Sequence, residues 1–325
     1  MNYKRILIIR TDRIGDVILS TPVIQAVRQA YPEAFIAFMA RPYTKDIVLG
    51  NPYLNEVILY DKDARHKSIL ATILFARRLK KYHFDLALIL HSTNRVNWIA
   101  FLAGITKRVG YDRRASWLLT DRMRYVKPEG LKHETEYNLD VAREAGINFN
   151  SQGLVPYIPA GKEDEGKADA FLKNNGITGK DIFFCMHINA DSPSKRWPVE
   201  RFAETADRII TQTGYKAVVF AVGNDIEPVD LMKGQMKNSP VLMRDFTIPQ
   251  TTALLKRAKF FISPDSGPAH MAAVAGTPSV IIFGCNEPGL GPSRWRPLNQ
   301  KAVILQKDTG CVDVEEVLNA ARKFF

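Results

Sequence analysis

Short apolar runs rich in Ile, Val, Leu and Phe alternate with longer helix-like segments along the chain, and the alternation starts afresh half-way. Strands covered by helices on both faces read this way, because a buried parallel strand needs apolar side chains on both sides. In the first half the strand candidates are 5–10, 34–40, 56–60 and 85–90, with helices expected near 15–30, 67–81 and 93–103. A second set begins at Ile182 and continues at 216–222, 240–243, 259–263, 279–283 and 302–305, with helices near 198–212, 249–257 and 266–275. The expected fold is α/β, with two Rossmann-like, doubly wound parallel-sheet domains in tandem. Their boundary is placed in "SQGLVPYIPAGKEDEG", 151–166, where prolines, glycines and a charged cluster break the periodicity, giving domains 1–160 and 161–325. A ligand is expected in the cleft between the two domains, outside the carboxyl ends of the strands.

Composition narrows the function classes. With 46% apolar and 24% charged residues, the 325-residue chain is of ordinary globular type. Its N-terminus has too short an apolar run for a signal peptide, and nowhere do about 18 apolar residues follow one another, so the chain is expected to stay in the cytoplasm. Cys185, Cys285 and Cys311 are far apart, which suggests neither a zinc site nor a disulfide framework, and they read as core or near-core thiols. The formal charge of +11 is uneven: residues 1–160 hold 24 Lys and Arg against 15 Asp and Glu. A basic partner surface therefore belongs to the first half, where nucleic acid, anionic lipid or a phosphorylated substrate would fit.

Four stretches carry candidate chemistry. In "RTDRIGDVILSTP", 10–22, the turn after the first strand has one glycine, Gly15, between Asp12 and Asp16 in place of Gly-x-Gly-x-x-Gly. Asp16 either caps the following helix or, with Gly15 tightening the turn, is aimed into the cleft as a general base for an acceptor hydroxyl. Pro22 kinks or restarts that helix. In "HINADSPSKRWP", 187–198, Ser194, Lys195 and Arg196 follow a strand, forming either a solvated basic loop or a cradle for phosphate oxygens. In "KFFISPDSGPAHMAAVAGTPSVIIFG", 259–284, Asp265-Ser266-Gly267 precede a small-residue helix whose N-terminus suits an anion, and His270 is either a core histidine or a supporting group. "KRVGYDRRASWLLTDRMR", 107–124, has six basic residues and two acidic ones around Trp117, and reads as a solvated face or as a surface for an anionic acceptor or membrane headgroups. Asp61-Lys62-Asp63 has a metal-binding spacing but lies in a charged loop and is set aside.

The stretches "RTDRIGDVILSTPVIQAVRQAYP", "SPSKRWP" and "ISPDSGPAHMAAVAGTPSVIIFG" together resemble family 9 of the glycosyltransferases, the ADP-heptose lipopolysaccharide heptosyltransferases. The resemblance implies a GT-B architecture, two Rossmann-like domains facing a central cleft, with the acceptor held by the first and ADP-heptose by the second. It implies that Asp16 is the catalytic base and that Lys195, Ser194, Asp265, Ser266, Gly267 and His270 serve the donor diphosphate. It places Glu227 at the ribose and Phe246 beside the adenine; Gly15 and Arg13 beside the base are expected at the acceptor, and the basic character of 107–124 adds Arg113 and Arg114 to it. Asn189 stands where many members have glycine, and its tolerance of left-handed backbone would preserve the loop. The implied reaction is an inverting, metal-independent heptosyl transfer to the inner core of a lipid A–Kdo precursor, needing no cofactor and no nucleic acid. The implied location is the cytoplasmic face of the inner membrane, as a peripheral protein. Rivals are a transferase using another nucleotide sugar or surface glycan, a nicotinamide-dependent oxidoreductase, and a catalytically silent binding protein. The oxidoreductase lacks a glycine fingerprint after the strands at 10, 188 and 263.

Overall fold

The computed structural model describes residues 2–221, 225–284 and 287–325, and divides into two compact units, Met1–Pro159 and Ala160–Phe325. The division falls inside 154–161, which has neither helix nor strand.

In the first unit, strands β1 (Arg5–Ile9), β2 (Phe35–Ala40), β3 (Glu56–Leu59), β4 (Leu86–Ile89), β5 (Lys107–Tyr111) and β6 (Asp121–Met123) form one sheet in the order β3-β2-β1-β4-β5-β6. All neighbours are parallel, with Ile6 opposite both Ile36 and Leu86. Helices α1 (Ile14–Ile18) and α2 (Thr21–Ala30) follow β1, and Pro22 sits in the first turn of α2, where a missing N–H costs no helical bond. The expected single helix over 15–30 is thus two, restarted at the proline. Helices α3 (Ile69–Lys80) and α4 (Asn94–Leu102) cover the sheet face formed by Leu7, Ile9, Ala37, Met39, Ala87 and Ile89. On the other side, α5 (Glu134–Glu144) packs against α2 and strands β4 to β6.

The second unit repeats the plan. Strands β7 (Phe183–Met186), β8 (Lys216–Phe220), β9 (Val241–Met243), β10 (Phe261–Pro264), β11 (Ser279–Phe283) and β12 (Ala302–Gln306) are ordered β12-β11-β10-β7-β8-β9, again parallel throughout. Helices α6 (Lys162–Asn174), α7 (Val199–Thr213), α8 (Ile226–Gln235), α9 (Ile248–Leu255), α10 (Gly267–Ala275), α11 (Pro292–Trp295) and α12 (Val314–Ala321) complete it. The core gathers Phe184, Met186, Val219, Ile262 and Ile282 with Phe202 of α7, Met232 of α8 and Leu318 of α12. Both sheets have the doubly wound order, whose direction of winding reverses between β1 and β4 and between β7 and β10. There the connections leave the sheet to opposite sides, so a crevice opens beyond the strands' carboxyl ends.

Three expectations are corrected. Residues 107–124 are not a uniform surface run: they build β5 and β6, the last two strands of the first sheet. A sheet edge tolerates charge, and Lys107 of β5 reaches Asp121 of β6 at 2.6 Å. The charged cluster after residue 161 is helix α6, which buries only Ala168 and Leu172 and so lacks an obvious apolar stripe. Cys185 is buried in β7 as expected, whereas Cys311 is exposed at the end of a short 3-10 turn, and Cys285 lies outside the described residues.

Candidate active site

The first switch point is built on Arg10, the residue that follows β1. Its backbone N–H still joins the sheet through Met39 O at 3.1 Å, while its side chain is buried beneath the loop that follows. The guanidinium spends its donors on three carboxylates: Nε on Asp12 at 2.7 Å, Nη1 on Glu134 at 2.8 Å and Nη2 on Asp16. Nη1 also reaches Asn138 at 3.0 Å. Glu134, wholly buried at the start of α5, takes a second cation, Lys127, at 2.7 Å. A planar fork is suited to this, since its separate nitrogens carry five donors in fixed directions. Burial opposes the charge on Arg10, but Asp12, Asp16 and Glu134 outweigh it and lift its pKa above the ordinary arginine value.

Asp16 does not cap α1. The cap position is Arg13, which is exposed and makes no side-chain cap bond, and Asp16 is the third residue of the helix. Gly15 is the second, so it belongs to a helical turn and does not tighten a loop. Burial, then the Asp12 carboxylate, push Asp16 up to about 6, against the pull of Arg10. His91, just beyond β4, faces Asp12 at 3.7 Å; burial and the Arg10 charge push it down to about 3, so the ring is neutral at neutral pH. The arrangement thus presents a carboxylate that gives and takes a proton near pH 6, fixed in direction by a permanent cation.

The second switch point lies beyond β7 and β10. Lys195 ends a short 3-10 turn, Pro193–Lys195, and its ammonium is paired with Asp265. The segment behind it is anchored: Trp197 is fully buried and donates from Nε1 to Val312 O at 2.9 Å, and Arg196 Nε donates to Ala190 O at 2.8 Å. Gly284, after β11, lets the Ser194 carbonyl lie against its Cα, where any Cβ would collide with that oxygen and with Thr309. Ser194 is exposed and shares a hydrogen bond with Ser192 at 2.9 Å. Ser266 is the N-cap residue of α10, Gly267 its first residue, and His270 lies buried in its first turns.

Around Ser266 runs a polar relay. His187, just after β7, contacts Ser266 Oγ through Nδ1 at 3.1 Å and Asp225 through Nε2 at 3.1 Å. An ionised carboxylate can only accept, so Nε2 carries the hydrogen that meets Asp225, and Nδ1 shares a hydrogen bond with the Ser266 hydroxyl. Asn189 donates from Nδ2 to Asp225 at 2.9 Å and is absent from the described residues with positive φ; it serves as a hydrogen-bonding side chain and not as a glycine substitute. The relay fixes the Ser266 hydroxyl at a helix N-terminus, beside the Lys195–Asp265 pair. The N–H groups of that helix N-terminus and the Lys195 ammonium suit the oxygens of a diphosphate.

A family model described as glycosyltransferase family 9 (heptosyltransferase) matches residues 73–323. The chain belongs to glycosyltransferase family 9. It is 25% identical to lipopolysaccharide heptosyltransferase 2 of Escherichia coli K12 over 315 residues, covering 94% of this chain and 89% of that one. It is 26% identical to lipopolysaccharide heptosyltransferase 3 of the same strain, over 89% of this chain and 84% of that protein. The crystal structure of a family 9 glycosyltransferase from Veillonella parvula DSM 2008 superposes with a TM-score of 0.91 at 27% identity, covering 100% of this chain and 98% of that one. The E. coli ADP-heptose lps heptosyltransferase II gives a TM-score of 0.82 at 22% identity over 98% of each chain. The fold is therefore the GT-B type of these heptosyltransferases.

Within this family 9 chain, the sequence-predicted residues divide by unit. Asp16, Gly15 and Arg13 share one turn of the first unit, and Lys195, Asp265 and Ser266 share the second switch point. Glu227 is exposed at the start of α8, and Phe246 follows β9, packed edge-on against Phe171 of α6 at 5.2 Å. Arg113 lies 4.5 Å over the Tyr125 ring, and Arg114 offers its carbonyl to Asn97 at 3.0 Å while its side chain is exposed. Asp61 caps its own loop by accepting from Ala64 and Arg65 N–H groups, and Asp63 pairs with Arg41. Sequence reasoning missed Arg10, His91, Lys127 and Glu134 in the first site and His187 and Asp225 in the second. Position alone offered a signal for two of them, since Arg10 and His187 each follow directly on a first strand.

Proposed function

We propose that the chain transfers a heptosyl group from ADP-heptose to the inner core of a lipopolysaccharide precursor, inverting the anomeric carbon and using no metal ion. The observation that carries the reading is the Asp16 carboxylate, poised at about 6 on an Arg10 fork at the switch point of the first sheet. A general base works best with a pKa near the operating pH. The acceptor oxygen attacks the anomeric carbon, its proton passes to Asp16, the new C–O bond forms, and the bond to the diphosphate breaks with the electron pair leaving on ADP. On the second unit, Lys195 and the N-terminus of α10 take up the charge growing on that diphosphate, the work a metal performs in other transferases. Relatives named lipopolysaccharide heptosyltransferase 2 and 3 support the sugar and the acceptor class, and a TM-score of 0.73 to an E. coli heptosyltransferase holding ADP supports an adenine nucleotide. Among the described residues no helix is long and apolar enough to cross a membrane. In this reading a lipid-linked acceptor is met peripherally, at the inner face of the cytoplasmic membrane.

The test is ADP release from ADP-heptose with a lipid A–Kdo acceptor, against UDP-sugar and nicotinamide controls, with the product's anomeric configuration read by NMR. Asp16→Asn should lower kcat about 10²–10⁴-fold with the fold intact. Activity should persist in EDTA. Near-wild-type turnover by a folded Asp16→Asn protein would remove the base, and activity abolished by EDTA and restored by Mg²⁺ would overturn the metal-free mechanism.

A further inference from the structure

The outer surfaces of α3 and α4 are unlike those of ordinary surface helices. Helix α3 turns Thr72, Phe75, Ala76 and Leu79 to the core, which leaves Ile69 77%, Leu70 66% and Leu74 48% exposed on its far side. Helix α4 buries Val96, Ile99 and Ala100, and leaves Trp98 and Phe101 exposed. The loop between β5 and β6 then adds Trp117, 65% exposed, whose ring stands edge-on to Trp98 at 5.4 Å. Asn97 holds that loop in place by donating to Arg114 O at 3.0 Å. Isolated exposed apolar residues are common; an adjoining set on two packed helices and a loop marks an interaction surface.

Charge shows what covers it. Residues 65–124 hold 13 Lys and Arg against 3 Asp and Glu, a net +10 of the chain's +11. Helix α3 has no acidic residue, and its exposed apolar turn is followed along the same side by exposed Arg77 and Arg78, then Lys81. Arg108 lies 5.5 Å over the Phe101 ring. Aliphatic side chains that enter the acyl boundary, tryptophans at the headgroup level and basic residues around them are the arrangement an interfacial protein needs, and each element is weak alone.

We propose that the α3–α4 face, with Trp117, is a docking surface for a bilayer containing anionic lipid. The proposal rests on the reading of the acceptor as a membrane lipid for its purpose, and on the exposed residues and charge for its chemistry. Apolar burial supplies adhesion, and the basic residues supply attraction and orientation. Arg108, over the Phe101 ring, joins the 107–124 segment to this face, and Ile69, Leu70 and Leu74 are its exposed aliphatic side chains on α3.

The test uses the full chain and vesicles free of acceptor and donor. Co-sedimentation should show binding to phosphatidylglycerol-rich vesicles, weak binding to phosphatidylcholine, and a blue shift of tryptophan emission on binding. Ile69→Ser/Leu70→Ser should reduce the partition coefficient at least about tenfold, since both side chains are already exposed and their loss leaves the fold alone. Arg77→Ser/Arg78→Ser should reduce it about 10- to 30-fold and flatten its salt dependence. All variants should transfer sugar normally to a deacylated, soluble acceptor. Partition indifferent to lipid charge, or unchanged in both double variants, would overturn the proposal. So would a wild-type dimer that Ile69→Ser/Leu70→Ser converts to monomer without affecting vesicle binding, because the face would then be covered by a second copy. Vesicle binding without transfer to any acceptor would instead count against the functional reading and leave the surface standing.

Discussion

Arg10→Gln would separate what the guanidinium does for the charge of Asp16 from what it does for its position. The wild-type cluster holds Arg10 and Lys127 against Asp12, Asp16 and Glu134, with His91 neutral, so negative charge is already in excess by one. Lys127 is shared with Glu134 and Asn138, and Arg10 contacts Asp16 directly. Two unit charges about 4 Å apart interact by about 4 kcal/mol at an effective dielectric constant of 20, equivalent to three pKa units. Relaxation and proton uptake by Asp12 and Glu134 would absorb part of this, so a net rise of about one to two units is expected. Starting from about 6, Asp16 would then titrate between about 7 and 8. At pH 7 the ionised fraction falls from about nine-tenths to between one-tenth and one-half, a loss of about 2- to 10-fold in kcat/KM that disappears by pH 9. The assay is kcat/KM for ADP release from pH 5 to 9. Stability should drop as well, because breaking a buried ion pair costs about 3–5 kcal/mol. Circular dichroism must therefore accompany each profile, and Arg10→Lys, which keeps the charge but loses the fork, should move the acid limb less. A folded Arg10→Gln enzyme whose acid limb stays where the wild type's lies would refute the electrostatic argument.

The raised pKa of Asp16 also has a stability sign. A carboxyl titrating at about 6 in the fold and at 3.8 unfolded favours the fold below pH 3.8 and loses that contribution as pH rises through 6, amounting to about 2–3 kcal/mol. Asp16→Asn should accordingly gain on the wild type in thermal melts as pH goes from 4 to 8, and parallel pH dependences would disprove it. Lys195→Ala should cost about 2–4 kcal/mol of transition-state stabilisation, read as a 30- to 1,000-fold drop in kcat/KM for the donor. An unchanged donor kcat/KM would remove Lys195 from the diphosphate site. Gly284→Ala must displace the Ser194 carbonyl or Thr309, so a loss of about 1–3 kcal/mol in denaturant melts is expected, together with weaker ADP binding by calorimetry. Wild-type stability and affinity in that variant would mean the loop has room to spare.

The sequence by itself determined the doubly wound plan, because a strand buried on both faces must be apolar nearly throughout, as "ILII" at 6–9 and "SVIIF" at 279–283 are. It also pointed to the segments that follow strands, where Asp16 in the first turn of α1, Lys195 in a 3-10 turn and Asp265 just beyond β10 all lie. Helix α5 was legible in principle: His133 and Glu136 form a capping box whose three-residue spacing is local. Strand β6 was not, because three residues, Asp121-Arg122-Met123, have no periodicity, and only pairing with β5 makes them a strand. The environment of each candidate side chain was decided by tertiary structure. Arg10 meets Glu134 across 124 residues, and His187 meets Ser266 across 79 and Asp225 across 38. Local patterns report backbone preference and burial over a turn or a strand, whereas a pKa depends on which charges folding brings within a few ångströms, and that is fixed by the crossover connections that set β4 beside β1 and β10 beside β7.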